Sequence, residues 1–174
     1  MIFDHTRRSN SVDGANNPDG KRGPAVRVHA DYTIKSGPQR ATDTLGKAEF
    51  NKVLAEGGRV MQINVWRPIT GPVESAPLAL ADSSSIPQGD LIATDQRFPS
   101  RTGEIYSLAH GQKHRWYYAP QMTPEEVILI KGWDSVDDGR ARFTPHGAFD
   151  HPRQTQKSKP RESIETRTYL VFKN

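Results

Sequence analysis

Cysteine is absent from the 174 residues, which excludes a disulfide framework, thiolate zinc sites and a thiol nucleophile together. Any metal must therefore rest on nitrogen and oxygen ligands. Long apolar runs are missing as well: no segment reaches the length of a membrane span, and the opening MIFDHTRRSN lacks the hydrophobic stretch of a secretory signal. The expectation is a cytoplasmic chain with no membrane partner. Charge of one sign is in short supply, since Lys+Arg 24 against Asp+Glu 20 leaves +4. That excess is spread along the chain rather than gathered in a basic stretch, so no nucleic-acid partner is expected. Apolar residues make up 34% of the chain, a supply that suits one domain over residues 1–174 rather than two.

Residues 9–24 (SNSVDGANNPDGKRGP) hold one large aliphatic residue among glycines, prolines and asparagines. That is too little apolar surface to offset the entropy of ordering them, and the segment reads as a mobile loop. From Ala25 onward, short β-rich runs are separated by turn signals: AVRVHADYT, RVMQINVWRPI, PLALAD, DLIATD, GEIYSLAH, HRWYYAP, EVILIKGW, ARFTPHGAF and SIETRTYLVF. This succession predicts an all-β sandwich or barrel. One main helix is expected over residues 42–56, where Leu45, Phe50, Val53 and Leu54 recur at helical spacing ahead of Gly57-Gly58. GEIYSLAH and HRWYYAP, joined by Gly111-Gln112-Lys113, read as a β-hairpin.

The tripeptide His29-Ala30-Asp31 lies in the first strong strand, and side chains at i and i+2 of a strand point to the same face. An imidazole and a carboxylate thus converge. An iron(II) facial triad needs one more histidine and adjacent open positions. His146 in TPHGAF is the candidate that a closed jelly roll brings back against the first strand, with His151 as its competitor. The spacing of His110 and His114 suits a metal-binding helix, but Gly111 and the strand pattern argue against a helix there.

Arg161 and Ser163 open the last run. An arginine beside a hydroxyl can hold a carboxylate by two charge-assisted bonds and a third donor, anchoring the far end of a dicarboxylate whose other end chelates a metal. The alternative for Arg161 and Arg167 is ion pairing with Glu162 and Glu165. Asn64 and Trp66 share one face of their strand, where Asn64 either lines the pocket or is a satisfied core amide. Trp116, Tyr117 and Tyr118 put aromatics on both faces of another strand. As pocket aromatics, Tyr32, Trp66, Trp116 and Tyr118 favour a small, partly apolar substrate over a polymer.

With these residues in view, the sequence resembles the iron(II)- and 2-oxoglutarate-dependent oxygenases, more closely their gibberellin-desaturase-like and cephamycin-hydroxylase-like branch of natural-product pathways. The matching stretches are VHADYT, NVWRPITGPVESAPLALAD, HRWYYAPQMTPEEVILIKGWDS, RFTPHGAFDHP and PRESIETRTYLVF, which run in the same order from Val26 onward. The resemblance implies a double-stranded β-helix, or jelly roll, in a short form lacking the usual N-terminal region. It assigns His29, Asp31 and His146 to iron(II), and Arg161, assisted by Ser163, to the distal carboxylate of 2-oxoglutarate, with Arg167 as rival anchor. Oxygen is the further cosubstrate, and the implied reaction is hydroxylation or desaturation of a small molecule.

Two other functions keep the same fold. One is non-redox isomerase, cyclase or lyase chemistry with His29 or Asp31 as acid or base. The other is a non-catalytic β-sandwich that binds a ligand. A barrel without its usual cover, and strands such as EVILIKGW with apolar residues on both faces, point to self-association as a C₂ homodimer, with the 9–24 segment crossing to the partner or folding over the pocket.

Overall fold

The computed structural model describes residues 1–11, 22–99 and 101–173. Residues 12–21, most of the segment expected to be a mobile loop, lie outside the described residues. The chain runs β1 (Ile2–Ser9), β2 (His29–Ala30), α1 (Ser36–Leu45), α2 (Lys47–Ala55), β3 (Arg59–Pro68), β4 (Leu78–Ala81), β5 (Leu91–Phe98), β6 (Arg101–Leu108), β7 (Trp116–Tyr118), β8 (Ile128–Asp134), β9 (His146–Ala148) and β10 (Glu162–Phe172). The strands form a four-stranded sheet in the order β1-β10-β3-β8 and a six-stranded sheet in the order β5-β6-β2-β9-β4-β7. All the pairings are antiparallel. The architecture is the mainly-β jelly roll expected from the sequence.

Three local expectations are corrected. The helix expected over residues 42–56 is two helices, because Gly46 takes a φ of 87° that an L side chain rarely adopts and so breaks the run between α1 and α2. The first of them starts upstream, at a cap the apolar spacing does not reveal. Thr33 Oγ1 accepts hydrogen bonds from the backbone N–H groups of Lys35 and Ser36 at 3.1 and 3.0 Å, and Ser36 Oγ accepts from the Thr33 N–H at 2.9 Å. Finally, β6 and β7 do not form a hairpin: β6 pairs with β5 and β2, while β7 is an edge strand on β4. The connection after β6 leaves it because the Ala109 N–H bonds the Asp90 carbonyl, and His114, packed against Gly111, turns to Asp90.

Two apolar clusters fill the interior. One gathers Tyr32, Phe50, Val53, Val60, Trp133 and Tyr169 under the helices, and the other gathers Trp66, Val73, Leu78, Met122 and Ile130. Between them the inward positions turn polar. Along β3 the inward row reads Val60, Gln62, Asn64, Trp66, and along β10 it reads Ser163, Glu165, Arg167, Tyr169; the register sets Arg167 opposite Asn64 and Glu165 opposite Trp66. Strand alternation makes these neighbours on one face. A polar band is thereby enclosed between two hydrophobic plugs, and buried polar groups persist only where they partner one another or a ligand.

Candidate metal centre

β2 and β9 are short, yet they pair His29 with His146 in register, and the two imidazole centroids stand 4.8 Å apart. Asp31 follows β2 on a connection pinned by Thr33, whose hydroxyl reaches Glu104 of β6. The structure brings His29, Asp31 and His146 together: one ligand atom from each lies within 4.8 Å of the others. His29 is half-buried, and Asp31 and His146 are buried.

The tautomers follow from the hydrogen bonds. His29 Nδ1 lies 2.9 Å from the Arg27 carbonyl and His146 Nδ1 lies 2.9 Å from the Thr144 carbonyl. A carbonyl only accepts, so each Nδ1 holds the proton and each Nε2 keeps its lone pair, the arrangement a metal-ligating histidine needs. Burial, and next the neighbouring His146, lower the His29 pKa against the opposing pull of Asp31, which favours the neutral ring.

Asp31 is the most elaborately held group. Burial raises its pKa, but Arg167, the two imidazoles and the Asn64 amide together outweigh burial and keep the carboxyl below its ordinary value. Asn64 Nδ2 donates to Asp31 Oδ2 at 2.7 Å, and Arg167 Nη2 lies 3.3 Å from Oδ1. Gln62 Nε2 donates in turn to Asn64 Oδ1, so the direction of the chain is set by the carboxylate at its end. A bulge makes room for this: Gln62 pairs with Trp133 and Ile63 with Lys131, leaving Gly132 unpaired, and a Cβ on Gly132 would stand 1.7 Å from Gln62 Oε1.

Arg167 is fully engaged, pairing with Glu165 at 3.0 Å and Asp31 at 3.3 Å. Burial alone would lower its pKa, but Asp31 and Glu165 raise it far above the ordinary value. Glu165 itself is pushed up by burial and by Asp31. Arg161 differs. It is buried, its Nη1 donates to the Ala76 carbonyl, and its guanidinium stacks 5.5 Å from the Trp66 ring centroid. Burial pushes its pKa down to about 10. Its Nε finds no partner, and neither does the buried Ser163 Oγ two residues on. Both are buried donors that can serve an acceptor without breaking a bond inside the protein.

Arg161, Trp66, Glu165 and Arg167 line a narrow cleft that reaches His29 and His146. On the other side, a cavity of about 370 Å³ opens onto Asp31, Tyr32 and Arg167, with Lys35, Arg40 and Asp95 on its walls. Of the four expected pocket aromatics, Tyr32 lines this cavity and Trp66 the cleft. Trp116 and Tyr118 stand instead on edge strand β7, 40% and 41% exposed, facing other hollows. Among the competing histidines, His151 bonds the Tyr118 hydroxyl at 3.0 Å and His114 pairs with Asp90 at 2.7 Å, so neither joins the cluster. Sequence reasoning missed Gln62 and Gly132, and named Glu165 only as an ion-pair partner of the arginines, which it is for Arg167. The signal was present as polar residues at inward positions of otherwise apolar strands, together with a glycine inside a strand.

A family model described as "Oxidoreductase/YMDC permease-like domain" matches residues 1–172. The chain is 34% identical over 165 residues to aspirochlorine biosynthesis protein N of Aspergillus oryzae, covering 93% of this chain and 68% of that protein. It is 36% identical over 165 residues to the hydroxylase/desaturase efuI of Hormonema carpetanum, covering 88% of this chain and 54% of that protein. It is 34% identical to the alpha-ketoglutarate-dependent dioxygenase phiK of a fungal species, covering 99% and 63% respectively. The solved structure of the iron and alpha-ketoglutarate-dependent endoperoxidase NvfI superposes with a TM-score of 0.85 at 28% identity, covering 100% of this chain and 62% of that one. The chain thus spans about half to two-thirds of the length of the proteins it matches. No helix among the described residues is long and apolar enough to cross a membrane.

Proposed function

The chain belongs to the oxidoreductase/YMDC permease-like family, within the iron(II)- and 2-oxoglutarate-dependent oxygenases, and on that premise we propose that it hydroxylates or desaturates a small natural-product-like molecule. His29 Nε2, His146 Nε2 and Asp31 Oδ1 hold iron(II), and Arg161 with Ser163 holds the distal carboxylate of 2-oxoglutarate. The observation behind this reading is that one cleft holds both histidines of the His29, Asp31, His146 cluster together with Arg161, whose Nε is orphaned, Ser163 Oγ lying two residues on. The donor set fits the group, since imidazole and carboxylate ligands in this number are those of non-haem iron(II) oxygenases. Iron(II) chelated by a 2-oxo acid supplies, with oxygen, the oxidising power to remove hydrogen from an unactivated C–H bond.

The remaining work belongs to the protein. Arg27 and Thr144 carbonyls hold the two Nδ1 protons, which keeps both Nε2 lone pairs aimed at one point. Asn64 and Arg167 fix the carboxylate between them. Trp66, over whose ring Arg161 lies, excludes water from the anchor and strengthens its charge-assisted contacts. The 370 Å³ cavity is the substrate chamber, because it has the ligand Asp31 on its wall and shares Arg167 with the cleft. Anaerobic titration of the metal-free protein with iron(II) and 2-oxoglutarate tests the reading: a weak visible absorption from the chelate is expected, and its absence at saturating concentrations of both refutes it.

The homodimer belongs to the same proposal. Ile2, Leu129, Leu170 and Phe172 lie on the outward face of the four-stranded sheet, 59%, 64%, 42% and 50% exposed, and exposed apolar area of that kind favours a covering partner. Light scattering at micromolar concentration should give the mass of two chains; the mass of one chain with full metal binding rejects this part alone.

A further inference from the structure

Arg8 lies on β1, in register with Ser163 of β10, and strand pairing sets the two side chains on the same face. It lines the same cleft as Arg161, Trp66, His29 and His146. Its Nη1 donates to the Gly23 carbonyl at 2.9 Å, and among the described residues neither Arg8 nor Arg161 forms an ion pair. The acids of the cleft are committed elsewhere. Glu165 pairs with Arg167, and Asp31 is shared between Arg167 and Asn64. Three guanidiniums, those of Arg8, Arg161 and Arg167, therefore crowd this narrow space, and among the described residues the acids nearest Arg8, Glu165 and Asp31, act on it only through space while paired with Arg167. Like charges in such a place repel, and burial aggravates the cost, so the arrangement persists at a profit only where an anion completes it. The mutual effect is visible on Arg161, whose pKa is lowered by burial and then by Arg8.

Resting on the reading given under Proposed function, we infer that Arg8 is a second cationic anchor for the distal carboxylate of the 2-oxo acid, acting beside Arg161 and Ser163. Its role is selective. A dicarboxylate presents charge at the end of the cleft where Arg8, Arg161 and Ser163 meet, whereas a 2-oxo acid with an uncharged tail presents none there. Arg8 thus adds affinity for 2-oxoglutarate and nothing for 2-oxopentanoate, which offers the same chelating end without the distal charge.

Equilibrium binding to the Mn(II)-loaded, anaerobic protein tests this without reliance on turnover, using 2-oxoglutarate and 2-oxopentanoate as paired probes. Arg8→Ala should weaken 2-oxoglutarate by about tenfold or more, as for a lost charge-assisted contact, and leave 2-oxopentanoate unchanged. Arg8→Lys, which keeps the charge, should recover most of the loss. A structural role for Arg8 would lower both affinities together and would not discriminate by tail charge, and that result overturns the inference. Unaltered 2-oxoglutarate affinity in Arg8→Ala overturns it as well while leaving the iron and 2-oxoglutarate reading in place. Failure of the unsubstituted protein to bind 2-oxoglutarate overturns both.

Discussion

Replacing Asn64 by leucine tests how much of the metal site resides in groups that never touch the metal. The substitution keeps side-chain volume nearly constant, so it removes hydrogen bonds without opening a cavity. Asn64 is fully buried, and its amide donates to Asp31 Oδ2 at 2.7 Å. Losing one bond to a charged acceptor in such a place costs about 1.5–3 kcal/mol, or roughly 10- to 150-fold in an equilibrium that depends on that carboxylate. Groups behind a metal ligand are typically worth about 10- to 100-fold in metal affinity, so two independent arguments give the same range. Arg167 still reaches Oδ1 and preserves the carboxylate charge, which makes the lower half of that range the expectation. Competition between the protein and a chelator for Mn(II), read from the paramagnetic signal of the free ion, measures the change directly. A folded Asn64→Leu protein with unaltered Mn(II) affinity would refute the argument that Asn64 orients Asp31. Gln62→Leu is the companion variant. It leaves the Asn64 to Asp31 bond in place and removes what steadies it, so its effect on Mn(II) should be smaller than that of Asn64→Leu, and the reverse order would point to a packing effect instead.

Arg161→Ala should weaken 2-oxoglutarate by about 10- to 150-fold and spare Mn(II), whereas Arg167→Ala, by freeing Asp31 and Glu165, should weaken Mn(II); a loss of 2-oxoglutarate affinity with Mn(II) spared in Arg167→Ala instead of Arg161→Ala would show that the wrong arginine has been assigned. Gly37→Ala sets a helix-propensity gain of about 1 kcal/mol against a Cβ that would stand 2.2 Å from the Trp133 ring, and because that indole is buried and rigid the clash wins: a net loss of about 1–3 kcal/mol in a denaturant titration is expected. Asp134 gives the acid limb of stability. Burial raises its pKa, but the Arg59 fork, the Val136 N–H and Lys131 outweigh burial and hold it below its ordinary 3.8. Its contribution is therefore present in full above that value and lost as pH falls through the depressed one, and Asp134→Asn should flatten the loss of stability with acid over that window.

What the sequence made legible depended on whether function and local geometry shared a period. His29 and Asp31 could be read together because strand alternation acts over two residues, and the β-rich runs could be read because their inward faces are mostly apolar. The partner role of Asn64 toward Asp31 was not readable, since it arises only where β3 passes behind the connection from β2 to α1. The expected roles of Trp116 and Tyr118 came from aromatics set on both faces of one strand, a pattern that does not distinguish an edge strand from a central one; the pairing of β7 with β4 alone settles their place. The most instructive miss is β1. Its residues, IFDHTRRS, show no apolar alternation, so nothing marked it as a strand. Yet it pairs along β10, Arg8 opposite Ser163 and Asp4 opposite Arg167. The alternation is absent for a physical reason: where a strand's inward face lines a polar site, the buried side chains are themselves polar and the usual signal of burial is erased. Arg8 on β1, Ser163, Glu165 and Arg167 on β10, and Gln62 and Asn64 on β3 form one continuous polar band across three paired strands. A sheet that forgoes apolar burial along such a band forfeits about 1.5–3 kcal/mol for each large side chain it could have placed there. That forfeiture is concentrated on the face that meets His29 and His146, where, on the proposed function, a charged cosubstrate and its metal return the lost free energy on binding.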